Sequence, residues 1–336
     1  MSQLFDIRIL RTLLVAGLMT TTTLWMSGAL AQQGKTLLSS ACTPSLDDPI
    51  TETGTGRTYV LDYPCNLKDG EPVTFILNLH GGGSSTSFQH AYFPAWKFKE
   101  QFRLVIATPY SPTRRWSEVD DEYLHNIVSS VTAAIGHDNV RAFWLAGHSQ
   151  GGSTSRRIVC TDFFADKVDG FLSLSGGRLG GAPPRSPNAG RPRQLTDPEP
   201  EAAAAPAAPT AATADPDCGF SHIFAIGEHE IVSLPATSSV AREFGCAARV
   251  RRPDVVDVVG GDTYDRGHQN PATKAWGRPA RPGTAQVFEY PNCNNGRVVA
   301  DVMRMDKGHT EGLEPVVVTE ILRLLTSAKG GKISGM

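Results

Sequence analysis

The sequence predicts an α/β fold in which a mostly parallel central sheet carries helices on both of its faces. Short apolar runs recur along the chain, and segments with helical periodicity lie between them. Several of these runs are apolar throughout, which is typical of strands that are covered by helices on both sides. Strands that alternate with helices form parallel sheets with right-handed crossovers.

Eight runs have the composition and length of strands, and three longer segments have helical patterns. The predicted strands are Thr58–Asp62, Val73–Leu79, Leu104–Thr108, Ala142–Ala146, Gly170–Leu174, His222–Ile226, Val287–Tyr290 and Val298–Met305. The predicted helices are Asp120–Ile135, whose apolar residues recur every three or four positions, and Pro235–Phe244 and Pro315–Thr326, which both begin with proline.

A Gly-x-Ser-x-Gly stretch, Gly147 to Gly151, separates the predicted strand Ala142–Ala146 from a short segment, Ser153–Val159, that can be helical. Strand, Gly-x-Ser-x-Gly and helix in this order form a nucleophile elbow. The serine of an elbow lies in a sharp, strained turn, and side chains at the glycine positions would clash. The pattern therefore predicts that Ser149 is a nucleophile with its hydroxyl directed out of the sheet edge.

Two further motifs have the context that this chemistry requires. His80 and the three glycines after it directly follow the predicted strand Val73–Leu79. Such a loop can present backbone N–H groups to a developing oxyanion, so we expect Gly81 or Gly82 to act with the N–H of Gln150. A late histidine, His309, follows the last predicted strand and fits the chain order nucleophile, acid, base.

With these motifs the chain resembles the α/β-hydrolase superfamily. Within it, the chain is similar to secreted esterases of the poly(3-hydroxybutyrate) depolymerase and feruloyl esterase type. The resemblance rests on the glycine loop after Leu79, the elbow around Ser149 and the Gly308-His309 pair, and it covers about residues 40 to 326. It implies an α/β-hydrolase fold, a catalytic serine and hydrolysis of a feruloyl, acetyl or polyhydroxyalkanoate-type ester.

The resemblance also implies where the acid of the triad lies. Its pattern after the strand His222–Ile226 is Gly-x-x-Asp, whereas this chain has Gly227-Glu228-His229-Glu230. Glu230 stands at the matching position and is the candidate acid, and the substitution of glutamate for aspartate is accepted chemically. The alternatives left open are Glu228, Asp262, Asp265 and Asp306.

Large aromatic side chains are candidates for the substrate-binding wall. Tyr110 and Trp116 are the first choices, with Trp96 and Trp276 beside them. The alternative for each of the four is ordinary core or surface packing, which is the commoner use of large aromatic residues.

The first 31 residues have the pattern of a secretory signal peptide. Arg8 and Arg11 precede an uncharged stretch from Thr12 to Leu30, and Ala29-Leu30-Ala31 is a small-x-small cleavage site. An uncleaved membrane anchor is the alternative. Residues 32–336 are then one catalytic domain, secreted or periplasmic, with no stable membrane association after cleavage.

Export changes how the cysteines are interpreted. Six cysteines in an oxidising compartment predict three disulfides, and buried free thiols are the alternative. Many pairings are possible for six cysteines. We favour Cys42–Cys65, Cys160–Cys218 and Cys246–Cys293, the last because similar esterases bridge a helix end to a later Cys-x-x-Gly turn.

Residues 180–217 interrupt the strand and helix pattern. Nine of them are proline and eleven alanine, and Leu195 is the one large apolar side chain. Such a segment cannot bury enough surface to offset its ordering entropy, so we expect a disordered insertion. A second irregular stretch, residues 260–283, is expected near the entrance to the site.

Composition excludes several function classes. The 336 residues carry a net charge of −2, which gives no indication of a nucleic-acid partner. No metal-ligand spacing is present in the sequence, and we expect no metal and no cofactor. The expected partner is a small-molecule or polymer ester, and the oligomeric state stays open. Alternatives to an esterase are a serine peptidase on the same fold and a non-catalytic binding module.

Overall fold

The computed structural model describes residues 37–38, 45–186, 218–266 and 274–335. Its strands are β1 Ile50–Thr51, β2 Thr58–Asp62, β3 Val73–Leu79, β4 Leu104–Pro109, β5 Val140–His148, β6 Gly170–Leu174, β7 Ser221–Gly227, β8 Val250–Arg251, β9 Val255–Asp257, β10 Gly283–Tyr290 and β11 Val299–Met305. Its α-helices are α1 Thr86–Tyr92, α2 Lys99–Phe102, α3 Asp121–Ile135, α4 Gln150–Ile158, α5 Ser239–Glu243 and α6 Pro315–Ser327. Short 3-10 helices are Ser45–Asp47, Ala95–Phe98, Glu118–Asp120, His137–Asn139, Glu228–Glu230 and Asn294–Gly296.

The strands form one sheet in the order β1-β2-β4-β3-β5-β6-β7-β11-β10-β8, and β9 also pairs with β10. The six central strands, β4, β3, β5, β6, β7 and β11, are parallel to one another. The strands β1, β2, β10, β8 and β9 add antiparallel edges. The predicted α/β fold class, with a mostly parallel central sheet and helices on both faces, is confirmed.

Both faces of the sheet are buried because side chains of each strand alternate between two apolar clusters. In β3, Phe75 and Leu77 pack on the cluster that holds α3, while Ile76 packs on the cluster that holds α6. The buried face of α3 and that of α6 consist of aliphatic residues at helical spacing. Burial of such side chains stabilises a fold by about 25 cal/mol per Å² of apolar surface.

One predicted helix has the wrong bounds. The segment Pro235–Phe244 is helical only over Ser239–Glu243, because the Ser238 hydroxyl accepts a hydrogen bond from the Ala241 N–H and begins the helix there. The helix α4 also begins earlier than predicted, at Gln150, directly after Ser149. Helix α1 was not predicted, since its seven residues carry no clear apolar periodicity.

Two of the three favoured disulfides are present, Cys160–Cys218 and Cys246–Cys293. Cys65 is disulfide-bonded, but Cys42 lies outside the described residues, so that pairing stays a prediction. Disulfides are typical of proteins that fold in oxidising compartments. None of the helices in the described ranges is long and apolar enough to cross a membrane.

The predicted signal peptide lies outside the described residues, and so do residues 187–217 of the predicted insertion. The first residues of that segment contact the body of the protein. Gly180 O accepts a hydrogen bond from the Ser239 N–H, and Arg185 forms a bridge with Ile231. The irregular backbone over residues 180–186 is therefore fixed by the start of α5 and by the segment that follows β7.

Candidate active site

The carboxyl ends of the parallel strands converge on one edge of the sheet, and every candidate catalytic residue follows such an end. The glycine loop follows β3, Ser149 follows β5, Glu230 follows β7 and His309 follows β11. Ligands bind at this edge in open α/β sheets, since the loops there are held by rigid strands. The topology therefore brings together segments that are far apart in the chain.

Ser149 lies in the sharp turn between β5 and α4. Its backbone has φ 50° and ψ −114°, a strained conformation for a non-glycine residue. A Cβ at Gly151 would lie 2.3 Å from the Leu79 carbonyl oxygen, and one at Gly147 would lie 2.3 Å from the Gly151 carbonyl carbon. Both glycines are therefore required for the elbow to pack against β3.

His309 and Glu230 form a buried pair beside this turn. The His309 Nδ1–H donates to Glu230 Oε2 at 2.6 Å, and the two side chains are 9% and 5% exposed. Glu230 Oε1 accepts two more hydrogen bonds, from the Gly227 N–H and the Ser175 hydroxyl, each at 2.8 Å. These donors fix the carboxylate, which in turn orients the imidazole.

The other carboxylates that were considered from the sequence have other partners. They bond as follows: Glu228 with the Asp306 N–H, Asp262 with Lys97, Asp265 with the Trp276 indole and Asp306 with His229. Ser175 was missed by the sequence analysis. A serine at the end of β6, the strand beside the elbow strand, was the available signal.

The glycine loop presents its N–H groups because its carbonyls are held from behind. The Trp116 indole N–H donates to His80 O at 2.7 Å, and the His80 Nδ1–H donates to Gly81 O at 2.8 Å. In a trans peptide the N–H points away from the preceding C=O. The N–H groups of Gly81 and Gly82 are thus directed opposite to these two contacts, and within the described residues neither makes a hydrogen bond.

Gln150 supplies a third candidate donor. It is the first residue of α4, and the N–H at such a position has no partner within its helix. The helix dipole also favours negative charge here. Gly82 lies directly against Gln150: a Cβ added at Gly82 would be 3.0 Å from Gln150 Oε1. The geometry therefore places glycine loop and helix start side by side.

The ring nitrogens of His80 hold two loops together. Nε2 accepts a hydrogen bond from the Ser111 N–H at 3.1 Å, while Nδ1–H donates to Gly81 O. Burial lowers the pKa of His80, which keeps the ring neutral and Nε2 able to accept. Burial, with a contribution from nearby His309, also lowers the pKa of His148 well below its ordinary value.

The first two aromatic candidates do not line the space around Ser149. Trp116 is 5% exposed and lies beneath the glycine loop, where its indole N–H is used in binding His80 O. Tyr110 lines a separate cavity beside β2, and the half-buried Trp96 donates to His90 O. Of the four aromatic candidates, Trp276 is the one that stands beside the site, with its ring centre 5.2 Å from that of His309.

Two cavities meet at Ser149, His309 and Trp276. The loop cavity, of about 350 Å³, lies on the side of the glycine loop and is lined also by Gly81, Gly82, Gly83, Ser84, Ser85, Phe88, Arg114, His148, Tyr264, Asp265, Arg266 and Thr310. The strand cavity, of about 320 Å³, lies on the side of β7 and is lined also by Gln150, Ser153, Ser175, Gly176, Gly177, Arg178, Ala182, Pro183, Arg185, Phe224, Ile226, Glu230 and Ile231.

The second irregular stretch contributes to the loop cavity through residues 264–266 and Trp276. This agrees with the expectation that the stretch lies near the entrance to the site. Residues 267–273 of that stretch lie outside the described residues. Among the described residues, no group of three His, Cys, Asp or Glu side chains is arranged to hold a metal ion.

A scan against protein-family models and a search of curated proteins found no match to this chain. Solved structures do match. Acetyl xylan esterase from Aspergillus awamori is 11% identical and aligns over 82% of this chain and 98% of its own, with a TM-score of 0.45.

Two further matches are partial. The fluorophosphonate-binding serine hydrolase FphF of Staphylococcus aureus is 15% identical over 38% of this chain and 55% of its own, with a TM-score of 0.29. Est1E from Butyrivibrio proteoclasticus is 18% identical over 37% of this chain and 49% of its own, with a TM-score of 0.28. The chain thus spans about half the length of these two structures.

Proposed function

We propose that the protein is an exported serine hydrolase that cleaves carboxylic esters through an acyl-serine intermediate. The observation that carries the proposal is the 2.6 Å hydrogen bond between His309 and Glu230, because His309 lines the same two cavities as Ser149. A serine hydroxyl needs a base beside it, and the base needs an acid to orient it. The disulfides support export, because they persist in oxidising compartments.

In the proposed reaction, Ser149 Oγ attacks the ester carbonyl carbon while His309 Nε2 accepts the hydroxyl proton. Glu230 stabilises the imidazolium that forms, and it holds the ring in the tautomer that leaves Nε2 free to accept. The negative charge that develops on the carbonyl oxygen is bound by the N–H groups of Gly81, Gly82 and Gln150. His309 then protonates the departing alkoxide. In the second half of the reaction, water attacks the acyl-serine while His309 accepts its proton, and His309 returns that proton to Ser149 Oγ as the carboxylic acid is released.

The fixed donors at the glycine loop support this assignment on energetic grounds. Removal of one oxyanion donor costs other enzymes about 10²–10³ in rate, so preorganised N–H groups are a large part of such catalysis. Here they are held by hydrogen bonds within the protein, from Trp116 and His80. No reorganisation is then needed when the charge appears.

The substrate class is part of the proposal. The resemblance favours feruloyl, acetyl or polyhydroxyalkanoate-type esters, and it is the basis for choosing esters over amides. A panel of feruloyl, acetyl and poly(3-hydroxybutyrate) substrates, with peptide anilides beside them, tests both choices. Cleavage of anilides at rates equal to or above those of matched esters would make the protein a peptidase instead.

The nucleophile is tested by the Ser149→Ala variant. We expect it to lose hydrolysis of p-nitrophenyl esters and labelling by a fluorophosphonate probe, by several orders of magnitude, while its circular dichroism spectrum stays unchanged. Ser130→Ala is the matched control, because Ser130 is an exposed residue on the outer face of α3. Ester turnover by Ser149→Ala within tenfold of the wild type would rule out the assignment.

A further inference from the structure

We propose that the loop cavity binds a carboxylate group of the substrate through the guanidinium groups of Arg114 and Arg266. The inference rests on the proposed function and narrows its substrate class to esters that carry an anionic group on the acid or alcohol part. Both arginines line the cavity that contains Ser149 and His309. Neither has a carboxylate partner among the described residues.

Arg114 is held in place by its backbone. Its φ of 56° lies in the left-handed region, which is unfavourable for arginine. Three hydrogen bonds fix this conformation: the Arg114 N–H donates to Ser111 O at 2.8 Å, the Gly83 N–H donates to Arg114 O at 2.7 Å, and Arg114 Nε donates to Ser84 O at 3.2 Å. The side chain is therefore tied to the glycine loop, with its terminal NH2 groups left for other partners.

Arg266 faces the same cavity from another segment. Its guanidinium carbon lies 5.8 Å from the centre of the Tyr264 ring, within the range of a cation–π contact. This contact limits the orientations of the side chain. The cavity thus receives one positive charge from the glycine loop side and one from the segment of residues 264–266.

One carboxylate of the protein lines this cavity too. Asp265 Oδ2 accepts a hydrogen bond from the Trp276 indole N–H at 3.4 Å, so part of its hydrogen-bonding capacity is used inside the wall. Two guanidinium groups and one carboxylate leave the side chains with a net positive charge. The pKa of His148 is far too low for this ring to add to that charge at neutral pH.

The chemistry of the guanidinium selects the ligand. It is planar, always charged and presents paired N–H donors that match the two oxygens of a carboxylate. A cavity of about 350 Å³ is large enough for the short chain of a dicarboxylic acid monoester. A carboxylate held here would lie in the same cavity as the nucleophile, because Ser149 is part of its wall.

The test uses two matched ester pairs. One pair is the mono-p-nitrophenyl ester of glutaric acid and the p-nitrophenyl ester of a neutral acid of the same length and branching. The other is p-nitrophenyl butyrate and its analogue with a carboxylate on the ring. The readout is the ratio of kcat/KM, anionic over neutral, within each pair, so that intrinsic reactivity cancels when variants are compared.

In at least one pair, we expect Arg114→Gln to lower this ratio by about tenfold, and Arg266→Gln by about threefold. Arg115→Gln is the matched control, because this substitution removes the same charge. Arg115 is the exposed neighbour of Arg114 and lines neither cavity. We expect its ratios to equal those of the wild type. Equal ratios in the wild type and Arg114→Gln for both pairs would overturn the carboxylate site.

A binding measurement separates this inference from the proposed function. If the wild type hydrolyses none of the four esters, the proposed function is wrong, and calorimetric titration with glutarate then decides the site. We expect glutarate to bind the wild type and Arg115→Gln with equal Kd, and Arg114→Gln at least fivefold more weakly. Equal binding to all three proteins, or binding to none, would overturn the carboxylate site without any use of activity.

Discussion

The two cavities that meet at Ser149 differ in the apolar side chains and in the arginines of their walls. The loop cavity is bounded by glycine backbone and by two arginines without a carboxylate partner among the described residues. The strand cavity contains the apolar side chains of Phe224, Ile226 and Ile231. It also contains two arginines, but their setting differs.

Arg178 shows the difference most clearly. It is buried, and its guanidinium makes two hydrogen bonds with Asp301, at 2.7 and 2.8 Å. Its charge is therefore compensated inside the protein. Arg185 is exposed, as Arg114 and Arg266 are, and its backbone is bound to Ile231, so Arg178 is the arginine that distinguishes the two cavities. An ester that lies across both cavities would thus present its polar part to the glycine loop and its apolar part to the end of β7.

Both cavities depend on the proposed catalytic pair of His309 and Glu230, so the largest effect is expected from its acid. Glu230→Gln keeps the shape of the side chain but removes the charge that stabilises the imidazolium. We expect kcat to fall by about 10²–10⁴ for esters that use either cavity, with little change in KM. Glu228→Gln is the control and should cost less than about tenfold, since Glu228 binds the Asp306 N–H.

The outcome would be read from steady-state kinetics on both variants. A larger loss in Glu228→Gln than in Glu230→Gln would mean that the loop after Gly227 has another register. Full activity in both variants would mean that the acid comes from another carboxylate.

Much of this arrangement could be predicted from the sequence because it depends on local backbone chemistry. The bounds of β2, β3 and β6 are those predicted, since continuous apolar runs end at turn residues. The Gly-x-Ser-x-Gly stretch carries its own steric reason for the elbow. Glu230 followed from the Gly-x-x-Asp pattern that the resemblance implies, and the structure brings it to His309.

The walls of the cavities could not be predicted because they depend on contacts between distant segments. Trp116 has the composition of a binding-wall residue, yet its indole lies under the glycine loop, 36 positions away from His80 in the chain. Arg114 lines the loop cavity only because residues 111–116 are bound to that loop. Pattern and composition contain no information on such pairings.

Trp116 offers the next test, since it acts on one cavity only. Trp116→Phe keeps a buried ring but removes the N–H that holds His80 O. We expect the glycine loop to lose part of its fixed orientation and kcat to fall by about tenfold, less than for loss of an oxyanion donor, with KM nearly unchanged. Trp96→Phe is the matched control, because it removes an indole N–H that donates to His90 O instead.

The split between kcat and KM distinguishes the two roles of Trp116. A rise in KM at constant kcat in Trp116→Phe would mean that the ring binds substrate, as the sequence first indicated. The measurement should use a short neutral ester, so that the carboxylate site does not contribute.

A smaller effect is expected when the strand cavity alone is filled. Ala182 is exposed and lines this cavity, so Ala182→Trp adds bulk without disturbing the core. We expect kcat/KM for a long-chain ester to fall about fivefold relative to the acetate, while the anionic-to-neutral ratios stay as in the wild type. Ala248→Trp is the control, since Ala248 is exposed and lines neither cavity. Equal losses for short and long chains would mean that the acyl chain does not lie in the strand cavity.

The smallest expected effect concerns the support of the strand cavity at acid pH. His222 Nε2 accepts a hydrogen bond from the Leu179 N–H at 3.2 Å, and this contact fixes the loop that carries Gly176, Gly177 and Arg178. Burial lowers the pKa of His222 from 6.5 to about 3, so the folded protein keeps the ring neutral. Below pH 6.5 the unfolded chain binds a proton that the folded chain does not, and stability is lost as the pH falls from about 6.5 towards 3.

At pH 5 this single group accounts for roughly 2 kcal/mol of lost stability, or roughly 4–8 °C of thermal midpoint for a domain of this size. His222→Gln has no such proton to bind, so we expect the fall in midpoint between pH 7 and pH 5 to shrink by about that amount. His137→Gln is the control, because His137 is exposed and lies outside the sheet. Thermal denaturation at the two pH values checks the expectation. Identical falls in midpoint for the two variants would show that protonation of His222 does not lower the stability of the fold at acid pH.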